Sequence, residues 1–75
     1  MSTVSRNLKK ARLACNYTQE YVADCLGISV KTLGEIERGN ARLYLKLLEA
    51  LAQVLNTDVS TLMGFSNKSD NTPPI

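Results

Sequence analysis

The sequence predicts an all-α domain of five short helices, and three observations carry that expectation. Apolar residues recur at intervals of three and four along five separate segments, the spacing of one face of an α-helix. Small polar residues suited to helix starts (Thr18, Ser29, Asp58) and residues suited to helix ends (Asn16, Gly27, Gly39, Asn56) stand between those segments. The second and third segments are joined through a few residues around Gly27, so the chain must turn sharply there.

The first segment follows a short arm, Met1 to Ser5, and carries Val4, Leu8, Ala11 and Cys15 at i, i+4, i+7 and i+11. It should stop at Asn16, because asparagine tolerates the left-handed backbone of a helix end better than any residue but glycine. Tyr17 precedes the cap Thr18, where an aromatic ring can set the angle at which the chain enters the next helix. Leu13 falls off the stripe, and one exposed leucine needs no account.

The centre of the chain is residues 18–38. Val22, Ala23 and Leu26 mark the inner face of one helix, and Leu33 and Ile36 mark that of the next. The single methyl of Ala23 permits close approach between them, and Ile28 can plug the angle at the turn. Two helices crossing steeply through a turn of this length form a helix-turn-helix, whose second helix, here 29–38, is the one that enters the DNA major groove.

After Gly39, Asn40 to Leu43 reads as a loop and Tyr44 to Leu55 as a longer helix. Its core face is Leu45, Leu48, Ala52 and Leu55; a second apolar stripe is Tyr44, Leu47, Leu51 and Val54. Such a helix is either sandwiched within the monomer or buries its second face in a partner. Asp58 caps a last helix, Val59 to Met63, with Val59 and Leu62 turned inward. The domain is therefore expected over 1–63, with 64–75, polar and containing two prolines, as a flexible tail.

Seventy-five residues make one domain, near the lower limit for folding without staples, and 44% apolar residues supply a core. A net charge of +2 says little about partners, but its distribution says more. Residues 1–16 hold Arg6, Lys9, Lys10 and Arg12 and no acid, whereas 17–37 hold Lys31 against Glu20, Asp24, Glu35 and Glu37. Positive charge thus flanks the central motif, which suits phosphate clamping on both sides of a groove-reading helix. Solvated charge on a small helical protein is the plain alternative.

No signal peptide is read, no stretch could span a bilayer, and a cytoplasmic protein is expected. Cys15 and Cys25 are too few for a zinc site and read as reduced thiols, with a disulfide as the alternative. With no histidine, no glycine-rich phosphate loop and no paired carboxylates in a cleft, neither an enzyme nor a cofactor or metal is expected.

Leu8 to Met63 resembles the lambda-repressor and Cro-like (XRE-type) helix-turn-helix family of DNA-binding regulators. The resemblance is carried by Arg12, Thr18-Gln19-Glu20, Val22-Ala23, Leu26-Gly27-Ile28-Ser29, Thr32-Leu33 and Ile36-Glu37-Arg38-Gly39, with Leu45, Leu48, Ala52 and Leu55 matching the following helix. It implies a compact five-helix bundle, a phosphate contact from Gln19, and an ion pair between Arg12 and Glu37. The residues agree on the last point: a carboxylate at the inner edge of the recognition helix needs neutralising near DNA, and arginine takes it bidentately. Glu35, Gly34 and Leu43 depart from the family pattern.

By matching position, Val30, Lys31 and Glu35 are the base-facing candidates, with Thr18, Ser29 and Thr32 nearer the backbone. Val30 suits a thymine methyl, Lys31 guanine O6 and N7, and Glu35 cytosine N4; for Lys31 a phosphate contact, and for Glu35 a solvent-facing role, stand beside these readings. Gly34, on the outer face, leaves room either for DNA backbone or for the partner helix. Phosphate contacts are expected from Gln19, Arg38, Asn40 and Arg42, with Arg6, Lys9 or Lys10 possible. The function expected is a transcriptional regulator, on the scale of phage Cro-like proteins or restriction–modification controllers, bound to an inverted-repeat DNA operator as a homodimer. Its dimer surface is expected at Leu47, Leu51, Val54, Leu62, Met63 and Phe65, with completion of the monomer core as the alternative. The rival class is a protein-binding module of the same fold, an antitoxin or coactivator-like adaptor, with a protein partner.

Overall fold

Local chemistry sets where each helix begins and ends. In the computed structural model, which describes residues 3–64, the order is α1 (Thr3–Ala14), α2 (Gln19–Leu26), α3 (Val30–Arg38), α4 (Leu45–Val54) and α5 (Val59–Leu62), with no strand among the described residues. Thr18 Oγ1 accepts from the Tyr21 amide at 3.0 Å, Ser29 Oγ from the Thr32 amide at 3.0 Å, and Asp58 Oδ1 from the Thr61 amide at 2.8 Å. Each bond satisfies a first-turn amide that has no partner within its helix. Gly27 and Gly39 close α2 and α3 with φ of 69° and 80°, and Asn16 and Asn56 do the same after α1 and α4 with φ of 61° and 59°. Tyr44 precedes α4 with extended backbone and no side-chain cap.

The inner faces converge on one core of Leu8, Val22, Ala23, Leu33, Ile36, Leu48, Leu51, Ala52, Leu55 and Leu62. Helix α2 packs against α3 and α4, while α1 packs against α3 and α5. Leu26 and Ile28 lie half-buried against this core, so the turn around Gly27 is plugged from inside. Asn7 Nδ2 donates to the Leu62 carbonyl at 2.9 Å and ties the end of α5 to α1. The Tyr17 and Tyr21 rings stack tilted at 4.6 Å on either side of the Thr18 cap. Cys15 and Cys25 are both free thiols; Cys15 Sγ donates to the Leu55 carbonyl at 3.4 Å.

Four expectations are corrected. Helix α1 starts at Thr3 and includes the arm, and its buried line is Ser5, Leu8 and Arg12, with Val4, Ala11 and Cys15 beside it. On α4 the core line is Leu48, Leu51, Ala52 and Leu55; Leu45, expected inside, is 62% exposed because, among the described residues, the cover over this helix begins only at Leu47 and Leu48. Leu51 and Leu62, expected at a dimer surface, are each 1% exposed and belong to the monomer core. Gly34 is buried, because the Arg38 side chain folds back over it. Of the remaining dimer candidates, Leu47 and Val54 are half-buried and Met63 exposed; Phe65 and, apart from Gly64, the expected tail lie outside the described residues.

These assignments separate two leucines that look equivalent in the sequence. Leu51→Ala should cost about 3 kcal/mol, as buried leucine truncations do, whereas Leu45→Ala should stay within about 0.5 kcal/mol; urea denaturation of the two variants measures both. Gly34→Ala should stabilise the protein by up to about 1 kcal/mol, because the new methyl stands 3.4 Å from Arg38 Nη1, an ordinary contact, and helix propensity improves. The Thr61 amide, and after it the Thr61 hydroxyl, hold the Asp58 carboxyl below its ordinary range. Ionised Asp58 therefore stabilises the fold above the ordinary aspartate range, and that contribution is lost as pH falls through its lowered value. Asp58→Asn should flatten this part of an acid-stability profile.

Candidate nucleic-acid interface

Helix α3 has two sides of opposite character. Leu33 and Ile36, each 1% exposed, face the core, and Ala23, equally buried, lets α2 lie close. Lys31, Glu35 and Arg38, at i, i+4 and i+7, form the stripe opposite that face. Ser29, Val30, Lys31 and Thr32 are all exposed at the helix start, and Val30 is a large apolar side chain left 38% open to solvent. Ser29 Oγ also donates to Thr32 Oγ1 at 2.9 Å, so these two hydroxyls form one unit beside the first turn.

The inner edge of α3 is anchored by charge. Arg12 Nε donates to Glu37 Oε2 at 2.7 Å and Arg12 Nη2 to Glu37 Oε1 at 3.2 Å. The two side chains are 9% and 4% exposed. Arg12 Nη1 reaches the Tyr17 carbonyl at 2.8 Å, and Gln19 Nε2 donates to Glu37 Oε1 at 3.1 Å. The carboxylate thus joins α1, the α1–α2 connection and the first residue of α2 to the last turn of α3. Gln19 spends one amide hydrogen inward and keeps a second, as well as its backbone amide at the start of α2, for a ligand.

Glu35 and Arg38 meet on the outside: Arg38 Nη2 donates to Glu35 Oε2 at 2.9 Å. Among the described residues the ion pairs are Arg12–Glu37 and Arg38–Glu35, and Lys31 belongs to neither. Beyond α3, Asn40 and Arg42 are exposed, and the Asn40 amide is held by the Glu35 carbonyl at 2.9 Å. Leu43 packs half-buried against the core. Thr18 is exposed, with its hydroxyl engaged as the α2 cap. The candidate contacts therefore lie along one continuous run of chain, from the start of α2 through the outer face of α3 to the loop after it.

Sequence reasoning missed three features here: Gln19 as a ligand of Glu37, the Tyr17 carbonyl as a ligand of Arg12, and the pairing of Glu35 with Arg38. Only the last had a local signal, the i, i+3 spacing of opposite charges. Among the described residues no group of three or more histidine, cysteine or acidic side chains is placed to hold a metal ion, and no helix is long and apolar enough to cross a membrane.

The geometry agrees with comparison to known proteins, because the helix-turn-helix family HTH_3 matches residues 8–62. The chain belongs to the helix-turn-helix family of DNA-binding transcriptional regulators. YazB of Bacillus subtilis (strain 168), an uncharacterized HTH-type transcriptional regulator, is 44% identical over 57 residues, covering 76% of this chain and 83% of the relative. Among solved structures, the restriction–modification controller protein C.AhdI from Aeromonas hydrophila superposes with a TM-score of 0.75 at 27% identity, over 80% of this chain and 91% of that one. SinR, a master regulator for biofilm formation solved in complex with DNA, superposes with a TM-score of 0.73 at 26% identity, over 80% of this chain and 97% of the SinR chain. The same helix-turn-helix fold also occurs inside a longer chain, HppE, of which this protein spans 34%, with a TM-score of 0.77 at 27% identity.

In this helix-turn-helix protein the buried pair carries a sharp consequence. Glu37→Gln leaves Arg12 buried beside a neutral amide and should cost about 3 kcal/mol. Chemical denaturation against the unaltered protein measures it, and an equal midpoint would show that the pair does not hold α3 in place.

Proposed function

We propose that this chain is a sequence-specific transcriptional regulator that binds an inverted-repeat operator as a homodimer, with α3 in the major groove. The observation that carries the reading is the exposed start of α3, Ser29 to Thr32, standing opposite a fully buried Leu33–Ile36 face on a helix anchored at both ends. A rod held this way offers Val30 to a thymine methyl, Lys31 to guanine and Glu35 to cytosine N4. Thr18, Gln19, Ser29, Thr32, Asn40 and Arg42 flank it on the side of the phosphates, and Arg38 lies beside Glu35. The geometry of such docking is the general one for this motif.

One recognition helix reads few base pairs, so useful selectivity calls for two, with half-sites about 34 Å apart. With Leu51 and Leu62 committed to the core, the homodimer surface is assigned to Leu47, Val54 and Met63 together with Phe65. The match to C.AhdI favours a controller of comparable size, acting in the cytoplasm where prokaryotic DNA lies. Exposed Tyr44 and Leu45, 60% and 62% open, favour a second reading in which a protein partner also binds.

Duplexes selected from a random pool should share an inverted repeat with half-sites one helical turn apart, and the protein should sediment as a dimer at micromolar concentration. A strictly monomeric protein, or recovered sequences without symmetry, would reject the homodimer. Arg42→Ala should weaken binding to every sequence about equally and reduce the salt slope by about one. A loss confined to one operator would instead make Arg42 a reader of bases.

A further inference from the structure

We propose that Glu35 and Arg38 read one G·C base pair together, as a single acceptor–donor unit, in place of a separate base contact and a separate phosphate clamp. The inference rests on the regulator reading above and concerns which residues of α3 give it selectivity.

Arg38 lies in the last turn of α3, far from the end that enters a groove first. Helical side chains lean toward the N-terminus, however, and this one does so fully. Its Nη1 and Nη2 lie 3.4 and 3.7 Å from where a Cβ on Gly34 would stand. The guanidinium therefore lies over Gly34, one turn back from its own Cα. There Nη2 meets Glu35 Oε2 at 2.9 Å, on the outward stripe that begins with Lys31. Glu35, two-thirds screened at 34% side-chain exposure, is the better sheltered member; Arg38 stands 59% open.

The bond engages one of the five guanidinium hydrogens and one carboxylate oxygen. Four donors of Arg38 and Glu35 Oε1 remain unengaged among the described residues. The unit thus presents an acceptor beside a donor fork, at a spacing fixed by their own hydrogen bond. In the major groove a G·C pair presents the complement, the cytosine N4 donor beside the guanine O6 and N7 acceptors. Cytosine N4 and guanine O6 are themselves joined by an N–H···O bond of about 2.9 Å, the span of Arg38 Nη2 and Glu35 Oε2. Nη2 keeps a second hydrogen and Oε2 a second lone pair, so the two couples match in span and oppose in sense. An A·T pair fits less well: its adenine N6 donor stands between two acceptors, so the guanidinium fork reaches only one of them.

Charge points the same way. Arg38 serving as a phosphate clamp would leave the Glu35 carboxylate uncompensated against the polyanion. The intact pair has no net charge, so it adds selectivity without adding to the salt-dependent term. Lys31, which makes no ion pair among the described residues, carries the stripe's remaining positive charge.

The test uses the full chain, the operator selected from a random pool, and every single-base-pair variant of that operator, titrated at several salt concentrations. The proteins are wild type, Glu35→Ala, Arg38→Ala and the double variant, with thermal melting to verify folding; both side chains lie on the surface. Wild type should prefer G·C at one position by roughly ten-fold or more, the discrimination of a good bidentate contact. Each single variant should lose most of that preference at the same base pair, and the double variant should lose no more than the worse single. The double variant, which removes a neutral pair, should leave the salt slope unchanged, whereas Arg38→Ala alone bares the Glu35 carboxylate and lowers the slope together with the base preference. A slope reduced by about one with base preferences intact would overturn the proposal and make Arg38 a phosphate clamp. Preferences lost at two different positions would also overturn it, as would selective binding unaltered in both variants. Failure of the wild type to select any duplex would reject the regulator reading itself, and the paired reader with it.

Discussion

The Glu37 carboxylate is the point at which the rest of the molecule is tied together. It accepts two bonds from Arg12 and one from Gln19, while Arg12 also holds the Tyr17 carbonyl. Burying two charges is costly unless geometry and additional hydrogen bonds compensate, and here both carboxylate oxygens are used and the guanidinium is engaged along three of its nitrogens. The nearest hydrophobic equivalent could fill the same space but could not set an orientation. A bidentate arginine admits one arrangement of its partner, so the last turn of α3 is fixed relative to α1 and to the start of α2.

The other end of α3 is fixed by different means. Gly27 turns the chain, Ile28 plugs the angle, Ser29 caps the first turn, and Ala23 admits α2 to close contact. Between these two anchors the helix has only nine residues. Their division is plain: Leu33 and Ile36 inward, the buried acid at the inner edge, and Val30, Lys31, Glu35 and Arg38 outward. A short helix on its own is marginal in water. This one is held by its surroundings, and a reader of base edges needs that rigidity more than it needs intrinsic helix stability.

Much of this was legible from residue order. The starts at Thr18, Ser29 and Asp58 and the stops at Asn16, Gly27, Gly39 and Asn56 depend on bonds made within a few residues of chain, so residue type carries the answer. The helix-turn-helix and its family follow from many such positions agreeing at fixed spacing. Ser5 illustrates the limit: a small polar side chain carries no sign of burial, so residue order does not reveal that α1 begins at Thr3. Helix α4 illustrates another. Its apolar residues wrap most of its circumference, and periodicity defines stripes without saying which stripe a neighbour will cover. Leu45 and Leu51 exchanged places for that reason. At Gly34 the side chain of Arg38 supplies the cover, a contact that no hydropathy pattern encodes.

What residue order alone determined is therefore the set of helices, their ends, the turn between α2 and α3, and membership in a family that binds DNA through such a motif. Tertiary packing decided the rest: which leucines of α4 are inside, that Gln19 and the Tyr17 carbonyl complete the Arg12–Glu37 network, and that Arg38, not Lys31, pairs with Glu35. The physical reason is range. Caps and left-handed stops are settled by atoms three or four residues apart, whereas burial and the choice of ion-pair partner depend on surfaces brought together from distant parts of the chain, or on which of several nearby charges has room to lie down.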